Sequence, residues 1–188
     1  MQGKKEVWTR MKLLIISDNH GSMDEFYSLM KQQINYDTVI HLGDGGIRKW
    51  EYEKYMPQFM PFICVKGNND YGMDFPDRFC AGLGEYQVAA IHGDRLQVKS
   101  TLEPLERWGR KEQAALVCYG HTHKADIKVR EDMLLLNPGS LSGRHSITGK
   151  TYAIVNMTKE GIHAELFRIE GRKSRKITDD KYILHKIL

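Results

Sequence analysis

The sequence predicts a layered α/β/β/α sandwich, two stacked mixed sheets flanked by helices, and three observations carry that prediction. The first third of the chain alternates short apolar, β-branched runs with helical spacing, as strands of a partly parallel, doubly covered sheet do. The remainder holds seven more strand-like runs with turn residues between them, more than one small sheet accommodates. About a quarter of the 188 residues are Leu, Ile, Val or Phe, enough to build a sizeable core.

Residues 1–10 read as an N-terminal extension, because Met11-Lys12-Leu13-Leu14-Ile15-Ile16 would begin a chain on its own, and 11–188 read as a single domain. Strands are expected over 13–16, 38–42 and 62–65. Between the first two, Ser22-x-x-Glu25 reads as a capping box, followed by Phe26, Tyr27, Met30 and Ile34 at helical spacing. A second helix over 49–56 stops before Pro57, and a third spans 101–114, where Pro104 fits only the first turn. Further strands are expected over 78–83, 85–91, 116–119, 126–130, 133–136, 151–156 and 161–169. Trp50, Tyr52 and Trp108 read as packing residues, His163 and His185 as surface or packing residues, and the basic run 171–176 as a solvated turn.

Composition excludes several classes of function. The longest apolar run, 114–119, has six residues, against the roughly 18 that suggest a membrane span, so no membrane partner is expected. The early apolar stretch is cut off by Asp18 before a secretory leader would be complete. Cys64, Cys80 and Cys118 are odd in number, far apart and without C-x-x-C spacing, which points to reduced thiols and a cytoplasmic location. With 28 Lys and Arg against 24 Asp and Glu, the net charge of +4 is too small to nominate nucleic acid.

Five short polar clusters each follow an apolar run: Asp18-Asn19-His20, Gly43-Asp44, Gly67-Asn68-Asn69-Asp70, His92-Gly93-Asp94 and Gly120-His121-Thr122-His123. In an open α/β sheet, loops past the strand carboxyl ends converge on one crevice, so these residues can meet. Asp18 and His20, like His121 and His123, are spaced i, i+2, which sends each pair to one side of an extended backbone. Asp18, Asp44, Asn68, His20, His92, His121 and His123 together offer two carboxylates, an amide oxygen and four imidazoles. Such a set is too rich for a structural zinc site and suits two divalent transition-metal ions, Mn first, with Ni, Fe or Zn as alternatives. Two neighbouring cations need a bridging anion, and Asp44 is the candidate bridge. Singly, Asp18 could cap a helix and Asn68 or His92 could hydrogen-bond a loop, but independent caps do not require the ordered set. His41, inside a strand run, reads as a buried supporting histidine, and Asn137-Pro138-Gly139-Ser140 as a structural turn.

The motifs D-x-H, G-D, G-N-x-D, H-G and G-H-T-H, in this order, resemble the signature of calcineurin-like metallophosphoesterases. Length, chain start and the 137–140 turn look most like the small YfcE-type phosphodiesterases, and the resemblance covers nearly everything after residue 10. It implies that Asp18, His20, Asp44 and His123 hold one metal and Asp44, Asn68, His92 and His121 the other, with the 137–140 loop nearby. The activity implied is hydrolysis of phosphate esters by in-line attack of a hydroxide bridging the two ions, with no covalent phosphoenzyme.

Many phosphomonoesterases of that superfamily carry histidine after the metal-binding Asn, where it can protonate the leaving oxygen. This chain has Asn69 there. An amide can donate a hydrogen bond to a phosphoryl oxygen but cannot act as a general acid near neutral pH. Asn69 and Asp44 are the candidate catalytic residues, and Asn69, Arg144 and His145, with Lys66, the candidates for holding substrate. The expected substrate is a small phosphodiester, since the YfcE-type branch also lacks the histidine. Two rival readings are a non-catalytic interaction scaffold, as in the fold-related retromer subunit, and a nuclease or cyclic-nucleotide diesterase. The filled ligand set argues against the first, and no nucleic-acid motif supports the second. A homo-oligomer is compatible with the resemblance, although no interface pattern stands out.

Overall fold

The computed structural model describes residues 10–32, 35–178 and 182–185, the last four by their backbone. Ile34, residues 1–9 of the expected extension and the side chain of His185 lie outside the described residues.

One sheet is built from β1 (Arg10–Ile16), β2 (Thr38–His41), β3 (Phe62–Cys64), β9 (Thr151–Thr158), β10 (Gly161–Glu170), β11 (Lys173–Lys176) and β12 (Tyr182–His185). Its order is β11-β10-β9-β1-β2-β3, with β12 also on β10; β1, β2 and β3 are parallel and β9 antiparallel to β1. The other sheet holds β4 (Arg78–Leu83), β5 (Tyr86–Ile91), β6 (Leu116–Tyr119), β7 (Ala125–Arg130) and β8 (Met133–Pro138) in the order β4-β5-β6-β8-β7. There β5, β6 and β8 are parallel and the outer strands antiparallel. Helices α1 (Asp24–Lys31) and α2 (Lys49–Glu53) cover the first sheet, and α3 (Glu103–Lys111) covers the second.

The layers follow from the two-residue period of a strand. Leu13 and Ile15 of β1 point between the sheets, where they share one core with Val88, Ala90, Leu116 and Leu134. Leu14 and Ile16 point outward to Phe26 and Leu29 of α1 and to Tyr52 of α2. In the second sheet Ala89, Ile91, Val117 and Leu135 turn outward against Leu105 and Trp108 of α3. Both faces of these central strands are covered, which is why the runs read as continuously apolar rather than alternating. The α/β/β/α expectation is met.

Local details differ from expectation. Helix α1 begins at Asp24, with Met23 as an N-cap that makes no side-chain bond. Ser22 Oγ instead donates to Glu25 Oε2 at 2.7 Å, and Glu25 also pairs with Lys150, so Ser22 and Glu25 form a side-chain bridge and not a capping box. Helix α2 ends at Glu53, and Tyr55 and Met56 continue only as single turns. Trp50, 59% exposed, is not a packing residue, whereas Tyr52 and Trp108 are buried. The basic run is not a turn beyond Gly171-Arg172: β11 pairs antiparallel with β10, setting Lys176 2.8 Å from Glu165 and Arg175 3.2 Å from Glu170. Cross-strand carboxylates thus offset much of its charge. All three cysteines are free thiols, and no described helix is long and apolar enough to cross a membrane.

Candidate metal centre

All five clusters lie at carboxyl ends of parallel strands, three from one sheet and two from the other. Asp18 and His20 follow β1, Asp44 follows β2, Asn68 and Asn69 follow β3, His92 follows β5, and His121 and His123 follow β6. The crevice therefore straddles the sandwich edge, where both sheets contribute. The loops do not stay extended as the i, i+2 spacing suggested. Asp18 (φ 55°), His20 (45°), Asp44 (54°), His121 (65°) and His123 (56°) all occupy the left-handed region, which costs each non-glycine residue about 1 kcal/mol or more. The pairs reach the crevice through kinked backbone. Close approach of two loops supports the kinks: a Cβ on Gly43 (φ 90°) would lie 2.5 Å from Gly67 N.

Asp18 Oδ2 accepts from Ser17 Oγ (2.6 Å) and from the His121 amide (3.1 Å). Its Oδ1 is buried with no hydrogen-bond partner, 3.0 Å from His123 Nε2 and 3.9 Å from His20 Nε2, and those two nitrogens are 3.3 Å apart. On the other side His92 Nε2 is 3.2 Å from both Asn68 Oδ1 and His121 Nδ1 and 3.5 Å from Asp44 Oδ2. The seven expected ligands therefore meet. Two tight groups stand out, Asp18-His20-His123 and Asp18-Asp44-His92, whose ligand atoms lie within 4.8 Å of one another. Asp18 belongs to both, whereas the resemblance gives the bridge to Asp44.

The donor set fits cations. His92 Nδ1 donates to Leu42 O at 2.7 Å and His123 Nδ1 to Arg144 O at 2.6 Å, so in the neutral rings each Nε2 presents a lone pair to the crevice. Facing them are the orphaned Asp18 Oδ1 and the Asn68 amide oxygen. Converging acceptors repel one another unless a proton or a metal ion lies among them.

Proton affinities divide accordingly. Burial pulls Asp44 toward the neutral acid, but hydrogen bonds and charge from His92, with the Asn69 bonds, outweigh it and hold the carboxyl well below its ordinary range. Burial opposes a charge on His92, yet Asp44 and Asp18 raise it above 6.5. The Asp18 carboxylate, whose Oδ1 lies 3.0 Å from Nε2, raises His123. His20 and His121 are lowered, chiefly by burial.

Asn69 donates its backbone N–H to Asp44 Oδ1 (2.7 Å) and its Nδ2 to Asp44 Oδ2 (2.5 Å), so its first role here is to orient that carboxylate. Its side chain is otherwise exposed, with a second amide proton free to meet a phosphoryl oxygen. Arg144 and His145 sit at the exposed rim: Arg144 supplies the carbonyl that fixes His123, and the His145 ring lies 6.3 Å from that of His123. Lys66 makes no side-chain hydrogen bond or ion pair among the described residues.

Several supporting residues had no assigned role in the sequence. Asp70 is buried and accepts three backbone N–H groups, from Asp44 and Gly67 at 2.8 Å and Gly46 at 2.9 Å, tying the β2 and β3 loops together. Asn137 and Pro138, expected in a turn, instead end β8, paired with Asp126 and Ala125 of β7; Asn137 is fully buried and donates to Gly120 O (2.8 Å) and Thr122 Oγ1 (3.0 Å), so this strand end carries the His121–His123 loop from below. Ser140 Oγ holds Asp18 O at 2.9 Å. The fourth position of G-N-x-D was the sequence signal for Asp70; the other contacts cross loops and leave no local pattern.

His41 is a supporting histidine, as expected. Gly43 N donates to its Nδ1 (3.1 Å), so the neutral ring carries its proton on Nε2 and donates to Asn19 Oδ1 (2.8 Å), which also accepts from Tyr52 OH (2.9 Å). Burial pushes its pKa down to about 4. The unfolded chain takes up this proton below about 6.5 and the folded chain only near 4, so the contribution is whole above 6.5 and is lost as pH falls. His20 and His121, also lowered, add to this loss as pH falls, whereas His92 and His123, raised, contribute below 6.5 and lose that contribution as pH rises, outside this window. Urea unfolding of chelated protein should therefore show stability falling between pH 6.5 and 4.5, by up to about 3 kcal/mol from His41. His41→Gln should flatten that slope; an unchanged slope would remove His41 from the account.

Residues 11–160 match the calcineurin-like phosphoesterase superfamily domain. The chain is 31% identical over 166 residues to the probable metallophosphoesterase YsnB of Bacillus subtilis, covering 87% of this chain and 94% of that protein. A conserved uncharacterized protein of Streptococcus pneumoniae, a predicted phosphoesterase, shares the fold with a TM-score of 0.74 at 24% identity, covering 89% of this chain and 97% of that one. Vacuolar protein sorting 29 of Cryptosporidium parvum does so with a TM-score of 0.77 at 17% identity, covering 95% and 100%. A two-sheet sandwich with a crevice of converging O and N ligands is a metallophosphoesterase architecture, and the chain belongs to the calcineurin-like phosphoesterase superfamily.

Proposed function

We propose that this protein is a phosphodiesterase that works with two divalent ions, Mn foremost, on small phosphodiesters. The observation that carries the reading is the meeting of seven O and N ligands with lone pairs turned inward and a buried, orphaned Asp18 Oδ1. Asp18, His20, Asp44 and His123 would hold one ion, and Asp44, Asn68, His92 and His121 the other. When bound, such ions supply Lewis acidity, acidifying a water and neutralising phosphoryl oxygens. Asp44 stays ionised across the physiological range, since its proton affinity is held low. Asn69 fixes that carboxylate and keeps one amide proton for a phosphoryl oxygen. Arg144 places a permanent positive charge at the rim beside His123, where an anionic substrate enters. The same reading takes 11–188 as one catalytic domain working in the cytoplasm.

The direct test is turnover of bis(p-nitrophenyl) phosphate by chelated protein reloaded with Mn, Ni, Fe or Zn, read beside metal content. Reloaded protein should turn over and hold two ions per chain; no turnover with any of the four would overturn the reading. The likeness to vacuolar protein sorting 29 favours, on the fold alone, the interaction-scaffold reading, which that same result would leave standing.

Leaving-group preference follows from position 69. Asn69→His keeps the backbone N–H bond to Asp44 and adds a titratable imidazole. The ratio of kcat/KM for an alkyl ester to that for an aryl ester should rise by about tenfold or more, up to the 10² to 10⁴ that general-acid catalysis typically contributes. An unchanged ratio would show that position 69 does not face the leaving group.

A further inference from the structure

A cavity of about 770 Å³ opens beside the centre, lined by Lys99, Thr101, Tyr119, Thr122 and Lys124 and continuing past Lys128 and Arg130. That volume suits a group the size of a nucleotide. The cavity adjoins the centre through one loop: Thr122, between His121 and His123 in the chain, lines it, and its Oγ1 accepts from the Lys124 amide at 3.2 Å. At the far end the charges are matched: Lys128 is 3.0 Å from Asp126 and Arg130 3.0 Å from Glu106. Lys99 and Lys124 have no ion pair or side-chain hydrogen bond among the described residues, and Glu103 is the lining carboxylate left unpaired. Lys99 is close enough to oppose charge on His121 and His123. Unpaired lysines beside a centre built for cations repel their surroundings until an anion joins them.

We propose that this groove is a subsite for one arm of the phosphodiester, an arm that carries a further phosphate, which Lys99 and Lys124 bind. The proposal rests on the phosphodiesterase reading and narrows it to substrates of the phosphorylated-nucleotide class. A diester with two uncharged arms leaves both lysines unused.

The probes are dithymidine monophosphate with and without a 5′-terminal phosphate. Binding is measured by isothermal titration calorimetry on chelated protein, so turnover is not required. The 5′-phosphorylated dinucleotide should bind about tenfold more tightly at low salt, an advantage that should shrink as salt rises. Combined Lys99→Gln and Lys124→Gln should remove it; both side chains are exposed, so the fold should be kept. Equal affinities in the wild type, or an advantage that survives the double substitution, would overturn the proposal. With Mn-loaded protein the same preference should appear in KM. Hydrolysis of both dinucleotides without preference would sink the groove and spare the enzyme reading; preferential binding without hydrolysis of either would do the reverse.

Discussion

Replacing His92 with asparagine is expected to empty half of the proposed two-ion centre and to lower kcat/KM for bis(p-nitrophenyl) phosphate by about 10² to 10³-fold. The choice of asparagine matters. His92 is fully buried, and its Nδ1–H satisfies Leu42 O at 2.7 Å, so alanine would leave that carbonyl unpaired at a cost of about 1–3 kcal/mol. An asparagine amide can reach the same carbonyl, while nothing replaces Nε2, the atom that lies 3.2 Å from Asn68 Oδ1 and His121 Nδ1. Circular dichroism should therefore be unchanged while metal content falls, on the proposed two-ion reading from two ions per chain toward one. Retention of both ions with activity within threefold of wild type would show that His92 merely packs the crevice.

The seven side chains that meet at the crevice were readable in the sequence for a specific reason. Each stands just beyond an apolar run, and a run covered on both faces, like Leu13 to Ile16, announces its own end with the first polar residue. The layer architecture was readable for the same reason. Backbone conformation was not: nothing in D-x-H or H-T-H distinguishes an extended pair from two left-handed residues, and φ values of 45–65° at His20 and His121 appear only once the loops are packed. The strand β11 was missed because a run of Lys and Arg looks solvated until Glu165 and Glu170 are seen across from it. Asn69 was read as a group facing substrate, and the structure adds its bonds to Asp44, which cross 25 residues of chain. Contacts of that kind are set by where loops meet, and composition around each residue carries no trace of them.

Asp70 is the strongest case of that kind, and Asp70→Ala is expected to be among the most destabilising polar substitutions in the protein. The carboxylate holds two donors on Oδ2, the amides of Asp44 and Gly67, and one on Oδ1, the amide of Gly46. Alanine leaves the first two buried and unpaired, while the more exposed Gly46 amide can turn to water. At about 1–3 kcal/mol for each buried orphan the loss is about 2–6 kcal/mol, which for a chain of this length lowers Tm by roughly 5–20 °C. Asparagine should fall between: its oxygen can keep the two Oδ2 partners, but its NH₂ would then oppose the Gly46 donor. Because Asp44 is held at φ 54° by this bond, metal affinity should drop about 10 to 100-fold in either variant that folds. Thermal unfolding of chelated protein measures the first effect and calorimetric Mn titration the second. An Asp70→Ala protein within 1 kcal/mol of wild type would mean that the β2 and β3 loops hold their shape without this carboxylate.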